Sequence, residues 1–145
     1  MAKVLAVNIS ETKGVPKTPI EKGYFKVEHG LEGDAHAGKW HRQVSLLAQE
    51  SIDKLDKTKL NDELCVGAFA ENLTTEGIVL YELPVGTKLK IGETEMEVTQ
   101  IGKECHLGCA IRNMVGDCVM PREGIFTKVL QPGWIKPGDE IIILN

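Results

Sequence analysis

The chain's pattern predicts a mostly β fold, a small closed β-barrel with a few short helices. Short apolar runs bounded by turn residues recur along its 145 residues, Gly-Asp or Gly-Thr pairs precede several of them, and one stretch of helical periodicity interrupts the series. One hydrophobic core suits this length and two comfortable domains do not, so residues 1–145 are read as a single domain.

Lys3 to Ile9 is apolar on both faces, through Val4 and Ala6 on one side and Leu5 and Val7 on the other, as a strand buried in the middle of a β structure is. Glu11 to Gly23 holds two prolines and two glycines and reads as a loop leading to a short strand at Tyr24 to Glu28. Gly30, Gly33 and Gly38 punctuate a second loop. From Val44 the period changes: Leu47, Ser51 and Leu55 recur every fourth residue, with Leu46, Ala48 and Ile52 widening the stripe. That spacing predicts an amphipathic helix near residues 45–57, with Ser45 as its N-cap and Lys54 and Lys57 complementing the dipole at its end. Beyond it, strands are expected at Ala70 to Leu73, Lys88 to Ile91, Glu95 to Ile101, Ile125 to Leu130 and Glu140 to Leu144. Pro84-Val85-Gly86-Thr87, Ile91-Gly92-Glu93 and Lys136-Pro137-Gly138-Asp139 supply the tight connections. With strands reaching close to both termini, a complete stand-alone domain is expected.

Composition narrows the function. The net charge is −4 with both signs mixed along the chain, which disfavours nucleic acid as a partner. No run approaches the roughly twenty apolar residues that span a bilayer, and the N-terminus lacks a signal-peptide cleavage pattern, so a cytoplasmic protein without a membrane partner is expected. In a reducing compartment its four cysteines are free, ligating or reactive thiols, not two structural bridges.

Three of those cysteines crowd one stretch, Cys105-His106-Leu107-Gly108-Cys109 and then Cys118. A thiolate serves as nucleophile, soft-metal ligand or sulfur carrier, and Lys103, Arg112 and Arg122 would each favour the ionised form. Two further segments carry polar groups among glycines. In Gly33-Asp34-Ala35-His36-Ala37-Gly38, leading to Arg42-Gln43-Val44-Ser45-Leu46-Leu47, Asp34 can orient His36, and Arg42 can fork onto a phosphate or carboxylate; the plainer reading is a turn with satisfied polar groups. In Glu71-Asn72-Leu73-Thr74-Thr75-Glu76-Gly77, a binding edge competes with a strand end turning through Thr-Thr-Glu-Gly. Cys65, in an apolar setting, reads as a buried packing residue, and Trp40 and Trp134 as core or rim aromatics.

Taken in order, these segments, the cysteine stretch and the closing Gly138-Asp139 resemble the MOSC family, the domain related to the C-terminal part of molybdenum cofactor sulfurases, which also occurs as small stand-alone bacterial proteins. The resemblance runs over nearly the whole chain and implies a mostly β, barrel-like fold. It also implies binding of the molybdenum cofactor (molybdopterin), or sulfur handling for it, through one cysteine matched by Cys105, as a persulfide or a molybdenum ligand. Lys103 and His106 would supply part of the positive setting. An anionic pterin phosphate needs cationic forks, for which Arg42, Arg112 and Arg122 are the candidates. Asp34 and His36 would form an orienting pair at the mouth, and Asn72 would offer its amide to a pterin edge. The chain departs from the family pattern where Lys103-Glu104 precede Cys105, since many relatives have a proline and a basic residue there; Glu104 would raise the thiol's pKa if close. Cys109 and Cys118 are additional, and can act as resolving thiols.

Two other readings compete. One is a zinc site built from Cys105, Cys109 and Cys118 with His106 or His36, though its spacing lacks the paired CxxC pattern of most zinc motifs. The other is a thiol switch without catalysis, in which Cys105 and Cys118 oxidise to a disulfide. A full cofactor sulfurase needs a pyridoxal-phosphate domain that 145 residues do not hold. Sulfur or cofactor would then come from partners: cofactor-biosynthesis proteins, a cysteine desulfurase or a recipient molybdoenzyme.

Overall fold

The computed structural model describes residues 2–11, 18–35, 37–50, 71–101 and 124–144. Among them run eleven strands: β1 (Lys3–Ile9), β2 (Thr18–Ile20), β3 (Gly23–Lys26), β4 (Gly30–Leu31), β5 (Val44–Ala48), β6 (Leu73–Glu76), β7 (Lys88–Ile91), β8 (Thr94–Ile101), β9 (Ile125–Gln131), β10 (Gly133–Ile135) and β11 (Ile141–Ile143). A 3-10 turn at Leu80–Glu82 is added to them. No helix among the described residues is long and apolar enough to cross a membrane.

Eight strands form one sheet in the order β11-β7-β8-β9-β5-β6-β1-β2, and β10-β3-β4 form a second. Alternation accounts for much of it. In β8, Thr94, Met96 and Val98 are buried while Glu95 and Glu97 are only partly covered, and β7 buries Leu89 and Ile91 between exposed Lys88 and Lys90. The core joins Val4 and Val7 of β1, Leu46 of β5, Leu73 of β6, Val98 of β8 and Ile125 of β9, with Phe25 and Leu31 packing in from the smaller sheet. Burial of a side chain of that size contributes about 2 kcal/mol.

The sheet does not close into a barrel, contrary to expectation. The outer edge of β1 is shared. β2 takes Val7 to Ile9, and towards β11 the contact is one bridge, Lys3 with Glu140, flanked by backbone bonds from Val4 N–H to Asp139 O at 2.8 Å and from Ile141 N–H to Ala2 O at 3.0 Å. β11 and β2 therefore stay as sheet edges.

The expected helix near residues 45–57 is also corrected. Val44–Ala48 is a strand, and Ser45, the expected N-cap, sits inside it. All five of its residues are buried, so both faces of β5 are covered, while β9 and β6 flank it within the sheet. A short continuous apolar run of this kind has the same appearance whether it is a buried strand or a buried helix. Helical backbone begins only at Gln49 and Glu50, residues 51–57 lie outside the described residues, and no amphipathic helix is evident among the described ones. β5 pairs in parallel with β6, Leu46 to Ala48 beside Leu73 to Thr75. Thr74 and Thr75 are likewise buried strand residues of β6, not a turn, and the short strands β2, β4 and β10 were not expected.

Glycine is required where β7 turns into β8. Gly92 has φ 55°, and a Cβ there would stand 2.5 Å from Asp139 Oδ2, the atom that accepts the Lys136 N–H at 3.0 Å. Gly92→Ala is expected to lower stability by about 2 kcal/mol in urea unfolding. Asp139 also holds the Lys136 ammonium at 2.6 Å, and this hydrogen bond and charge raise the Lys136 pKa above its ordinary value. Stabilisation from that pair is present below the unfolded-state lysine pKa and is lost as pH rises through the raised folded value.

Candidate functional site

Polar groups converge where β1, β5 and β6 lie side by side. Asn8 of β1 donates its N–H to Asn72 O at 2.7 Å, and Asn72 Nδ2 donates back to Asn8 O at 3.3 Å. On its other side Asn72 Oδ1 accepts the Ser45 N–H at 3.0 Å and lies 3.2 Å from the Ser45 hydroxyl. Asn72 is 1% exposed, and both ends of its amide are engaged with neighbouring strands. Next to it, Thr74 donates its hydroxyl to Glu71 Oε2 at 2.7 Å and accepts from Asn8 Nδ2 at 3.0 Å. Asn72 therefore sits as a three-strand staple just before β6, and Glu71 as a fully buried carboxylate beside it.

Asp34 closes the glycine loop against β1. Its Oδ1 accepts the Ser10 N–H at 3.1 Å, and Ala35 N–H donates to Ser10 O at 2.8 Å. The carboxylate is 7% exposed, so it anchors the loop that carries His36 to the chain just past β1. Upstream, Gly30 has φ 106° and lies so close to Gln43 that a Cβ would meet its carbonyl oxygen at 2.5 Å. That contact fixes the loop over the residues leading into β5.

Arg42 precedes β5 by two positions and is held from three directions. Its Nε donates to Gln100 Oε1 at 3.0 Å, and its guanidinium carbon lies 5.2 Å from the Phe126 ring centroid and 6.0 Å from that of Trp40. His41 Nε2 reaches the same Gln100 oxygen at 2.8 Å, while Thr99 Oγ1 bonds the His41 carbonyl. No ion pair involving Arg42 or His41 occurs among the described residues.

Gln100 reaches this place through a bulge. The alternation Thr94, Met96, Val98 would continue to Gln100 on the buried side, but the β8–β9 register slips so that Val98 faces Thr127 and Gln100 faces Phe126. The extra residue, Thr99, re-aims the last two residues of the strand. Ile101 then pairs with Ile125, so the two strand ends flanking the cysteine stretch are adjacent in the sheet.

Of the expected site residues, the structure places Asp34, Arg42 and Asn72: Asn72 is bonded to β5 through Ser45, Arg42 lies three residues before Ser45, and Asp34 is fixed to the end of β1. Cys105, Cys109, Cys118, Cys65, His36, His106, Lys103, Glu104, Arg112 and Arg122 lie outside the described residues. Among the described residues no group of three or more His, Cys, Asp or Glu is placed to hold a metal ion. Sequence reasoning missed Gln100, His41 and Asn8. The available signal was a lone glutamine where the strand alternation required an apolar residue.

Comparison with known proteins gives a family and a fold. A family model described as the MOSC domain matches residues 33–142, a span that holds the glycine loop, Arg42, Asn72, Gln100 and the cysteine stretch. No curated protein sequence matches the chain. Among solved structures, the YuaD protein of Bacillus subtilis superposes with a TM-score of 0.76 at 18% identity, covering 97% of this chain and 94% of that one. YiiM of Geobacillus stearothermophilus gives 0.74 at 19% identity over 100% of this chain and 76% of its own, and YiiM of Escherichia coli gives 0.70 at 18% over 100% and 70%. At these identities the likeness is one of fold.

Proposed function

The chain belongs to the MOSC domain family, a family associated with molybdenum cofactor-related sulfur binding, and from that premise we propose that it binds the molybdenum cofactor and carries sulfur for molybdoenzyme maturation on the thiolate of Cys105. The observation that carries this reading is the place of Arg42. A guanidinium without an acidic partner among the described residues is fastened to Gln100, the next-to-last residue of β8, and the same strand runs on in sequence to Cys105 four residues after Ile101. The guanidinium is thus bonded to the strand from whose end the sequence leads on to the cysteine stretch. Such a guanidinium fits the phosphate of a pterin cofactor.

When bound, the cofactor supplies molybdenum, a metal for which soft sulfur donors are suitable ligands. The protein's own part is to hold the anion and to present the thiolate. Arg42 serves as the phosphate fork, with Arg112 and Arg122 as further candidates and Lys103 favouring the ionised thiol. Asp34 anchors the loop bearing His36, and Asn72, its amide engaged between strands, acts by holding β5 in place.

Sulfur loading is a thiol exchange. The Cys105 thiolate attacks the outer sulfur of a donor persulfide, R–S–SH; the new sulfur–sulfur bond forms as the donor's breaks, the outer sulfur keeps its proton, and R–S⁻ leaves, with no net oxidation. The reverse exchange passes the sulfur to an acceptor thiolate. A cysteine desulfurase is the natural donor and a cofactor-biosynthesis protein or molybdoenzyme the recipient, in the cytoplasm.

Cyanolysis after incubation with a cysteine desulfurase and cysteine tests the step. About one sulfane sulfur per chain is expected in the wild type, Cys109→Ser and Cys118→Ser, and none in Cys105→Ala. Full loading of Cys105→Ala would refute the assignment.

A further inference from the structure

Arg42 and His41 are consecutive, cationic or ionisable, and fastened to one oxygen. Gln100 Oε1 accepts from Arg42 Nε at 3.0 Å and stands 2.8 Å from His41 Nε2. An amide oxygen only accepts, so neutral His41 carries its proton on Nε2 and leaves Nδ1 as the group that a further partner meets. Because Arg42 uses Nε for this bond, Nη1 and Nη2 are left as a two-pronged donor. Thr99, the bulged residue beside Gln100, bonds the His41 carbonyl and fixes the backbone between the two strands.

The chemical identity of residue 100 decides what this arrangement does. A glutamate there would make the same two contacts and cancel the charge it organises. Glutamine orders the guanidinium and imidazole without adding a negative charge, and no ion pair among the described residues cancels the charge of the guanidinium. The ring centroids of Phe126 and Trp40 lie 5.2 and 6.0 Å from the guanidinium carbon, an attraction that holds the cation without neutralising it.

We propose that Gln100 is a positioning residue that assembles Arg42 and His41 into a clamp for the dianionic phosphate of a phosphate monoester. The natural ligand rests on the cofactor reading above, whose pterin phosphate is such a monoester; the clamp's chemistry does not depend on Cys105. Arg42 meets two phosphate oxygens through its terminal nitrogens, and His41, held beside it by the same amide oxygen, donates Nδ1–H to the phosphate in its imidazolium form.

Trp40 reports the site directly, since it is 39% exposed and its ring centroid lies 6.0 Å from that of His41. The chain has two tryptophans, so Trp134→Phe leaves Trp40 as the only one. In that background, phenyl phosphate and inorganic phosphate are titrated at constant ionic strength while Trp40 fluorescence is followed. Saturable binding is expected, tighter for phenyl phosphate, with Kd below about 10 mM. Gln100→Glu keeps the acceptor geometry and is expected to weaken binding at least about tenfold, and Gln100→Leu, which removes the shared acceptor, by a similar factor. Nitrogen-15 spectra of the histidines should show the Nε2–H tautomer of neutral His41 in wild type and a redistribution in Gln100→Leu. No saturable binding in the wild type, exclusion of phenyl phosphate with inorganic phosphate still bound, or wild-type affinity in Gln100→Glu would each overturn the proposal; the last holds even if Gln100→Leu fails to fold. Repeating the titration in Cys105→Ala separates the two readings. Unchanged phosphate binding there supports the clamp whatever becomes of sulfur loading, and loss of binding refutes its independence from the thiol.

Discussion

Replacing Asn72 with alanine is expected to lower the unfolding free energy by about 3 kcal/mol, whereas Ser45→Ala costs only about 1 kcal/mol. The difference lies in what each side chain leaves behind. Asn72 Oδ1 accepts the Ser45 N–H and its Nδ2 donates to Asn8 O, so truncation strips partners from backbone groups of two strands at 0% and 7% exposure. A buried backbone donor or acceptor without a partner costs about 1–3 kcal/mol. Ser45→Ala instead removes a hydroxyl bonded to two groups of Asn72 that each keep another partner: Oδ1 keeps the Ser45 N–H, and the Asn72 N–H, which the hydroxyl accepts at 3.0 Å, keeps Ser45 O at 2.9 Å. Urea midpoints for the two variants decide the matter, and equal losses would show that Asn72 is not the staple described.

Gly30→Val is expected to cost about 3 kcal/mol or more. At φ 106° an L side chain is strained, and its Cβ would stand 2.5 Å from Gln43 O and 3.1 Å from Gln43 C, backbone atoms that cannot swing aside. Gln43 in turn accepts the Val129 N–H at 2.9 Å, so displacing it disturbs the β9 edge and the neighbouring Arg42. Gly33→Ala provides the control. There φ is 89° but the nearest atom is Ile9 Cδ1 at 3.4 Å, so only the backbone cost of about 1 kcal/mol applies. A Gly30→Val loss no larger than that of Gly33→Ala would show that the close approach to Gln43 does not constrain the loop.

Strands with one apolar face are legible in the sequence. Alternation places β7 and β8, because a half-buried strand imprints its environment every second residue, and apolar runs buried on both faces place β1 and β9. β5 reads as helix for the opposite reason. Both of its faces are buried, so Val44 to Ala48 carries no period of its own, and the helical stripe draws support from residues beyond it. The two-residue β4 is too short to show a pattern, and β2 contains Pro19, a residue suited to the edge that it forms. Non-closure is invisible as well, since it turns on which residues of β1 are taken by β2.

The site divides in the same way. Arg42 stands between the glycine loop and the apolar run that begins at Val44, and a cation at that junction announces itself. Asn72 resembles a ligand because an amide before a strand reads the same whether it faces a cofactor or the adjacent strands; only the pairing of β6 with both β1 and β5 distinguishes them. Gln100 is hidden by the bulge at Thr99, which turns an apparently core-facing position towards His41 and Arg42.

Native mass spectrometry of anaerobically purified protein, wild type beside Cys105→Ala, before and after adding molybdenum cofactor, tests the carrier role of Cys105 most directly. Wild type is expected to gain the mass of the cofactor or of an extra sulfur, and Cys105→Ala to lose it. Zinc in the untreated wild type, or equal loading of the two proteins, would contradict that role.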